Sequence, residues 1–423
     1  MTGLRFCMLT TFYPPFSFGG DAIGVQRLAR ALVRRGHHVT VVHDVDAFAA
    51  LHRGPLPEAP DRDEDEGVRI VRLRSGAGSL SPLLVHQLGR PVLHARRLGH
   101  LLRPGQWDVV NFHNISLLGG PGLLGYPTDA VTLFMAHEHW LVCPTHVLWR
   151  HGRERCPGRQ CLRCVVAHHR PPQLWRYSGA LERGLRQVDA VIAMSEFSRQ
   201  KHMEFGLEAE MEVLPYFLPD MVSDQPGARG PSPRERPYFF FAGRLERIKG
   251  LDDVIPVFGS LPEADLVIAG DGEHGARLRD LAADLPNVHF LGRLAPDALR
   301  AYYGHAIALL VPSVCFETFG IVLIEAFQQG TPVIARRLGP FPEIVGKSGA
   351  GELFWTPAEL LSSLRRLCGD RAYRDALAAS ARASAPYWGD RRVVPAYLDI
   401  VRRAASRRGL TAIAEILSNT EAA

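Results

Sequence analysis

The sequence predicts an α/β protein made of two Rossmann-like domains, each with its own parallel sheet. Short apolar segments alternate with helical segments along the chain of 423 residues, a length that suits two domains of ordinary size. Residues 215–237 are rich in proline and show no apolar periodicity, so we place a linker at 219–236. Polar and glycine-rich motifs follow directly after several apolar segments, which is where open parallel sheets bind ligands.

The composition excludes several classes of function. The 49 basic and 44 acidic residues give a net charge of +5, and the arginines are scattered, so no nucleic-acid surface is indicated. No apolar run reaches the roughly 18–20 residues needed to cross a bilayer. The first apolar segment, Leu4–Thr10, reads as a strand and not as a signal peptide. We therefore expect a cytoplasmic protein with unpaired cysteines.

The first domain is predicted at 1–218. Its strands are predicted at Leu4–Thr10, His38–His43, Val68–Leu73, Asp108–Phe112, Ala130–Met135, Asp189–Met194 and Met211–Leu214, and its helices at Ala22–Arg35, 173–187 and Glu196–Phe205. Gly19 and Gly20 precede the first helix and would let a ligand approach the backbone, with a plain strand-to-helix turn as the alternative. The acidic run Asp61–Glu66 is predicted to be a solvated loop.

Residues 80–103 form a basic amphipathic segment with a break expected at Pro91. Leucines alternate there with Arg90, Arg96 and Arg97. We favour packing of this segment on the sheet, with peripheral contact to the inner face of a membrane as the alternative.

Two predicted strands bring histidines to the carboxyl edge of the first sheet. His113 follows Asp108–Phe112, and His137 follows Ala130–Met135. The spacing of His137 and His139 is not that of a zinc protease motif. His113 is therefore a candidate for chemistry, and an ordinary strand-end histidine is the alternative.

A Cys/His-rich insert is predicted at 137–170. Cys161 and Cys164 have a C-x-x-C spacing, and Cys143 and Cys156 precede them. Four thiolates could close a structural zinc site, and four unligated thiols are an equal alternative. An insert of this size beside a strand end is typical of a lid or an acceptor-site element.

The second domain is predicted at 237–385, followed by a helix at 386–405 and a tail at 406–423. Its strands are predicted at Tyr238–Ala242, Leu266–Ala269, Val288–Leu291, Ile307–Val311 and Pro332–Ala335, and its helices at Gly320–Gly330, 357–369 and 371–383. Arg244 and Lys249 follow the first of these strands, where two cations could hold a diphosphate.

Gly270, Asp271 and Gly272 begin a G-x-G-x-x-G pattern after the second of these strands. No acidic residue follows about 20 positions later, which disfavours a nicotinamide dehydrogenase. A loop close to a nucleotide is still compatible with the pattern.

The stretch 312–334 places two carboxylates around one predicted helix N-terminus. Glu317 precedes the helix, and Glu325 lies about 7–8 Å along the axis from Gly320 at a rise of ~1.5 Å per residue. The N–H groups near Gly320, Ile321 and Val322 would suit an anion. Alone, the stretch fits an ordinary βαβ unit equally well.

Together these motifs resemble glycosyltransferase family 4, the retaining GT-B enzymes that use nucleotide sugars. The resemblance covers most of the chain and is strongest from 238 to 346. It rests on Gly19-Gly20, Gly243-Arg244-Leu245 with Lys249-Gly250, Gly270-Asp271-Gly272 and Glu317-x7-Glu325. Residues 137–144 are similar to the family's His-Asp-Tyr-Trp-x-x-Cys-Pro variant. The resemblance implies two domains facing across a cleft, with the C-terminal helix crossing back to the first domain.

The resemblance also implies roles for individual residues. Glu317 would meet the sugar hydroxyls, and Glu325 the ribose. Arg244 and Lys249 would neutralise the leaving diphosphate, and His113 would lie near the reacting sugar. The backbone of Phe319, Gly320, Ile321 and Val322, together with Gly19, Gly20, Gly270, Asp271 and Gly272, would lie close to the donor, and the acceptor-side candidates are His137, Glu138, His139 and Trp140.

The implied activity is transfer of a hexose from a UDP- or GDP-sugar to a glycan, a lipid-linked glycan or a small molecule. It implies retention by front-face attack without a catalytic metal. The alternatives are a GT-B sugar phosphorylase or epimerase, and a nucleotide-sugar-binding partner without catalysis. Glu138 and His139 depart from the family's Asp and Tyr, and Phe341-Pro342 replaces a Gly-rich turn.

Overall fold

The computed structural model describes residues 3–220 and 230–421, so half of the predicted linker at 219–236, namely 221–229, lies outside the described residues. The chain separates into two compact units. The first unit comprises Met1–Pro219 and Asp390–Ala423, and the second comprises Asp220–Gly389. Among the described residues, no helix combines the length and the apolar character needed to span a membrane.

The first unit is built on an eight-stranded sheet with the order β10-β9-β6-β5-β1-β2-β4-β3. The strands up to residue 213 are β1 Arg5–Leu9, β2 His38–Asp44, β3 Arg62–Asp65, β4 Val68–Leu73, β5 Val109–Phe112, β6 Val131–Ala136, the hairpin strands β7 Trp149–Arg150 and β8 Glu154–Arg155, β9 Ala190–Ala193 and β10 Met211–Val213. The helices are α1 Gly20–Arg34, α2 Val45–Leu51, α3 Leu80–Leu88, α4 Ala95–Leu101, α5 Cys161–Ala167, α6 Ala180–Leu185 and α7 Glu196–Glu204. All pairs in the large sheet are parallel except β3 with β4.

The central strands are apolar along their whole length because helices cover a parallel sheet on both faces. Every residue of β5 and of β6 is buried. This pattern made the central strands predictable as short apolar runs. The break expected at Pro91 is confirmed, since α3 ends at Leu88 and α4 begins at Ala95.

The prediction of a solvated loop at Asp61–Glu66 is wrong. Residues Arg62–Asp65 form β3, which pairs antiparallel with β4 at the edge of the sheet. Asp65 accepts hydrogen bonds from Tyr13 and Gln26. These contacts offset the poor strand propensity of charged residues, which commonly lie on edge strands.

The second unit has a six-stranded, fully parallel sheet with the order β13-β12-β11-β14-β15-β16. Its strands are β11 Tyr238–Ala242, β12 Asp265–Ala269, β13 Val288–Gly292, β14 Leu309–Val311, β15 Val333–Arg336 and β16 Gly351–Phe354. Its helices are α8 Leu251–Val254, α9 Gly275–Leu281, α10 Pro296–His305, α11 Ile321–Gln328, α12 Phe341–Ser348, α13 Pro357–Gly369 and α14 Arg371–Ser384. Phe239, Leu266 and Leu310 lie in the core between this sheet and its helices.

The C-terminal helix belongs to the first unit, as predicted. Helix α15, Asp390–Arg407, is followed by α16, Thr411–Glu421, within the segment predicted as a tail. Asn111 of β5 donates a hydrogen bond to Tyr397 Oη of α15 at 3.0 Å. Arg408 forms an ion pair with Asp189 at 3.3 Å. These contacts anchor the end of the chain to the first sheet.

Candidate functional site

The carboxyl edge of the second sheet brings two predicted motifs together. Strands β11 and β14 are neighbours, so the loops that follow them lie side by side. Val314 N donates to Ile248 O at 2.9 Å across these loops. Gly250 has φ +75°, and a Cβ there would lie 2.2 Å from Pro312 O, so only glycine fits this close approach.

Lys249 and Glu317 form an ion pair at this edge. Lys249 Nζ lies 2.7 Å from Glu317 Oε1, and each side chain is about a fifth exposed, at 22%. Ser313 Oγ donates to the same carboxylate oxygen at 2.9 Å. The sequence predicted Lys249 and Glu317 as separate site residues and missed Ser313, although Ser313 also follows the end of β14.

The pair keeps both groups charged. Burial would raise the pKa of the Glu317 carboxyl, but the Lys249 ammonium outweighs burial and lowers that pKa below its ordinary value. Burial would likewise lower the pKa of Lys249, but Glu317 raises it above its ordinary value. A fixed ammonium of this kind can stabilise negative charge that develops on a departing group.

Arg244 lies in the same loop but is more open. Its side chain is 55% exposed and forms an ion pair with Glu246 at 2.7 Å. Its positive charge offsets a small part of the rise in the pKa of Lys249 and adds to the fall in the pKa of Glu317. The two predicted cations therefore share one electrostatic environment.

Helix α11 begins beside this pair. Gly320 precedes it with φ +108°, and a Cβ there would lie 2.8 Å from Leu323 and from Phe341. Glu325 lies in the second turn and accepts a hydrogen bond from Tyr303 Oη at 3.2 Å. The first N–H groups of a helix lack acceptors within the helix, so this end suits an anion.

The glycines at 270–272 are required by packing of the backbone. A Cβ on Gly270, which has φ +141°, would lie 1.8 Å from Gly243 O, and one on Gly272 would lie 2.4 Å from Leu245 O. Asp271 Oδ1 accepts from Gly272 N at 2.8 Å. The G-x-G pattern thus fits this loop against the one that carries Arg244.

A separate cluster lies in the first unit, at the carboxyl ends of β5 and β6. His113 Nδ1 and His137 Nε2 are 2.8 Å apart, and His137 Nδ1 lies 2.5 Å from Tyr216 Oη. These side chains line a cavity of about 20 Å³, together with Tyr397 of α15. That volume accommodates about one water molecule.

Burial keeps this cluster uncharged. It lowers the pKa of His137 to about 4, and with His137 it lowers the pKa of His113 well below its ordinary value. Burial also raises the pKa of Tyr216. His113 Nε2 is buried without a hydrogen-bond partner among the described residues. This nitrogen can therefore still form a hydrogen bond.

The other acceptor-side candidates lie in different surroundings. Glu138 pairs with His146 at 2.5 Å. His139 and Trp140 are buried, at 1% and 4% exposure, and Arg176 donates to Trp140 O at 2.9 Å. Trp140 therefore has the contacts of a core residue.

Gly19 and Gly20 lie at the start of α1 in the first unit. Gly19 has extended backbone, and a Cβ there would come within 4 Å of a single heavy atom among the described residues, Asp21 Oδ1 at 3.9 Å. The backbone at this helix start is therefore open to approach.

The four cysteines of the insert line one cavity of about 20 Å³. Burial raises the pKa of Cys156, Cys161 and Cys164, and Cys164 Sγ accepts from His151 N at 3.3 Å. In the part of the chain that the structure describes, one set of three or more metal-ligating side chains has its ligand atoms within 4.8 Å of one another. That set is not cysteine but Asp44, Asp46 and His94, which the sequence did not single out.

Two family models match this chain and together span most of it. Glycosyltransferase Family 4 matches residues 18–218, and Glycosyl transferases group 1 matches residues 227–384. A glycogen synthase of Mycobacterium tuberculosis is 27% identical over 90% of this chain and 89% of that protein. A sulfoquinovosyl transferase of Arabidopsis thaliana is 33% identical, but the match covers only 35% of this chain and 30% of that protein.

Solved structures share the fold. A sucrose-phosphate synthase of Thermosynechococcus elongatus superposes with a TM-score of 0.71 at 20% identity, over 97% of this chain and 99% of that one. HepE of Anabaena, in complex with UDP and glucose, superposes with a TM-score of 0.64 at 17% identity, over 96% and 99% of the two chains. The prediction of two Rossmann-like domains, each with a parallel sheet, is confirmed.

Proposed function

We propose, from the premise that this chain belongs to glycosyltransferase family 4 and has the GT-B fold, that it transfers a hexose from a UDP- or GDP-linked sugar with retention of configuration. The acceptor is a glycan, a lipid-linked glycan or a small molecule. The observation that carries the proposal is the Lys249–Glu317 pair beside the start of α11, at the carboxyl edge of the second sheet.

The proposed reaction needs positive charge where this pair lies. When the bond between the sugar and the phosphate breaks, its electron pair stays on the phosphate oxygen, and the diphosphate gains negative charge. Lys249, Arg244 and the N–H groups at the start of α11 stabilise that charge, so these groups provide what a metal ion would otherwise supply. The acceptor hydroxyl bonds to the sugar carbon on the face of the leaving group and passes its proton to the phosphate oxygen.

Glu317 orients the ammonium and contacts the sugar. A carboxylate offers about four lone-pair sites, so Glu317 keeps capacity for sugar hydroxyls after it accepts from Lys249 and Ser313. Glu325, held by Tyr303, binds the ribose hydroxyls. His113 is the candidate in the first unit for contact with a sugar hydroxyl, through Nε2 as a donor or an acceptor.

Uridine nucleotides are the first donors to test. HepE of Anabaena has been solved with UDP-glucose, and a trehalose-6-phosphate protein of E. coli with UDP-2-fluoro glucose, each with the same fold as this chain. GDP-sugars are the second class.

We also propose two accessory features. The exposed leucines Leu80 and Leu83 of α3, at 47% and 49%, together with the exposed Arg90 that follows this helix, support peripheral contact with an anionic membrane. The convergence of Cys143, Cys156, Cys161 and Cys164 on one cavity supports a structural zinc in the insert.

The test has a binding stage and a turnover stage. Thermal-shift screening against UDP, GDP, ADP and their sugars should raise the melting temperature with the true donor. Each of Lys249→Ala, Arg244→Ala and Glu317→Ala should then lower turnover about 10²–10³-fold. The matched control is Lys347→Ala, since Lys347 also pairs with a glutamate of the second unit, Glu343, at 3.0 Å.

Three results would count against the proposal. Unchanged turnover in all three site variants would refute the assignment of the site. Donor binding without turnover on any acceptor would identify a non-catalytic binding partner. Phosphate dependence without a nucleotide would identify a phosphorylase.

A further inference from the structure

A buried cluster of two carboxylates and one histidine lies in the first unit and shares no residue with the candidate site. Asp44 ends β2, Asp46 lies in the first turn of α2, and His94 immediately precedes α4. Their exposed fractions are 0%, 7% and 3%. Three separate elements therefore contribute one ligand-type side chain each to the same interior position.

The distances in this cluster are longer than those of ordinary hydrogen bonds. His94 Nε2 lies 3.5 Å from Asp46 Oδ2 and 3.7 Å from Asp44 Oδ2. A hydrogen bond would bring such atoms to about 2.7–3.2 Å. A single bridging water would hold them about 4.5 Å apart. Two ligands of a tetrahedral zinc ion, with bonds of about 2.0–2.2 Å, lie about 3.3–3.6 Å apart.

The hydrogen bonds of Asp44, Asp46 and His94 also favour a metal ion between these side chains. Asp44 Oδ2 and His94 Nε2 are both buried without a hydrogen-bond partner among the described residues, and both point into the cluster. The remaining bonds hold the carboxylates in place: Asp44 Oδ1 accepts from Ala47 N at 3.1 Å, and Asp46 Oδ2 accepts from Ser75 N at 2.8 Å. A buried polar atom without a partner costs free energy, so such an atom normally contacts another polar group, a water molecule or an ion.

The charge balance differs from that of another buried aspartate in the chain. Asp265, 1% exposed, is contacted by Arg234 at 2.8 Å and Arg236 at 2.9 Å. Asp44 and Asp46 have His94 instead. A neutral imidazole is the form that binds metals.

We propose that Asp44, Asp46 and His94 bind a divalent transition-metal ion that ties β2, α2 and the start of α4 together in the first unit. Two carboxylate oxygens with one imidazole nitrogen suit Zn²⁺ or Mn²⁺, whereas Mg²⁺ and Ca²⁺ favour oxygen ligands alone. The ion has a structural role and is independent of the glycosyl transfer proposed above.

The test uses the full chain, stripped with a chelator and then dialysed against Mn²⁺ or Zn²⁺. Wild-type protein should retain about one Mn²⁺ per chain by electron paramagnetic resonance, with a higher melting temperature than the stripped protein. Asp46→Asn and His94→Gln should each weaken Mn²⁺ binding at least ~100-fold and abolish the gain in melting temperature. The matched control, Asp61→Asn, removes an exposed carboxylate of the same unit and should bind as wild type does.

Binding of Mn²⁺ distinguishes this site from the four cysteines of the insert, because thiolates favour softer ions than Mn²⁺. The proposal is overturned if stripped wild-type protein takes up no more Mn²⁺ or Zn²⁺ than Asp46→Asn does. It is also overturned if metal leaves the wild-type melting temperature unchanged, a measurement that does not depend on the variants folding. Zinc that is retained by Asp46→Asn but lost in Cys161→Ser would assign that metal to the insert.

Discussion

Replacing Lys249 by methionine should destabilise the second unit by about 1–3 kcal/mol. At 2.7 Å the gross attraction to Glu317 is about 6 kcal/mol for an effective dielectric constant near 20. Desolvation of both ions offsets most of this, and losing one partner of a fully buried pair costs about 3–5 kcal/mol. Because both side chains stay 22% exposed and Ser313 still bonds Glu317, we expect the smaller cost.

The pH dependence of this contribution follows from the two pKa shifts. The pKa of Glu317 is lowered from 4.5, so its contribution is complete above that value and is lost as pH falls through the lower folded-state pKa. The pKa of Lys249 is raised from 10.5, so its contribution is complete below that value and is lost as pH rises through the higher folded-state pKa. The cost of Lys249→Met should therefore be constant across the neutral range.

A double-mutant cycle with Glu317→Gln, followed by urea unfolding at pH 7, measures the coupling. We expect a coupling free energy of about 1–2 kcal/mol, with turnover of the donor reduced about 10²–10³-fold in each single variant. Strictly additive effects on the free energy of unfolding would refute the electrostatic reasoning. A loss of stability with full turnover would show that the pair is structural only.

Four further predictions follow from other residues. Glu325→Gln should raise KM for the donor about 10-fold with little change in kcat, because ribose contacts act in ground and transition states alike; an effect on kcat alone would contradict this. Because burial lowers the pKa of His137 from 6.5 to about 4, the unfolded chain binds the extra proton between these values, and stability should rise with pH there by up to about 3 kcal/mol; His137→Gln should flatten that rise in urea unfolding. Cys161→Ser and Cys164→Ser should each lower the zinc content in metal analysis, and a zinc content equal to that of wild type would show that the four cysteines bind no zinc. Gly270→Ala should cost more than about 3 kcal/mol in thermal unfolding, since its Cβ would lie 1.8 Å from Gly243 O.

The sequence predicted the two loops that contribute to the candidate site, but it did not predict how their residues pair. Lys249 and Glu317 each follow a strand end, which was visible as an apolar run before a polar motif. Their contact depends on β11 lying next to β14, a strand order that local patterns do not encode. The sequence therefore assigned the two residues to different parts of a ligand, whereas the structure pairs them directly.

Other misses have similar causes. Strand β3 was read as a loop because it is charged throughout, and it forms through its pairing with β4 and the contacts of Asp65. The sequence did not predict that the backbone of Gly243 also requires the absence of a side chain at Gly270. Asp44 and His94 are 50 positions apart, and no local motif links them. Each of these features depends on long-range contacts.

The return of α15 to the first unit has a consequence for the order of events during synthesis. The second unit is one continuous stretch, Asp220–Gly389, whereas the first unit needs a segment made last. At about 5–20 residues per second, ribosomes take roughly 10–35 s to make the intervening stretch. Throughout that interval Asn111 cannot form its hydrogen bond with Tyr397, and the apolar face that α15 covers is exposed to solvent. The half made first is thus the half completed last, and chaperones would meet it in that incomplete state.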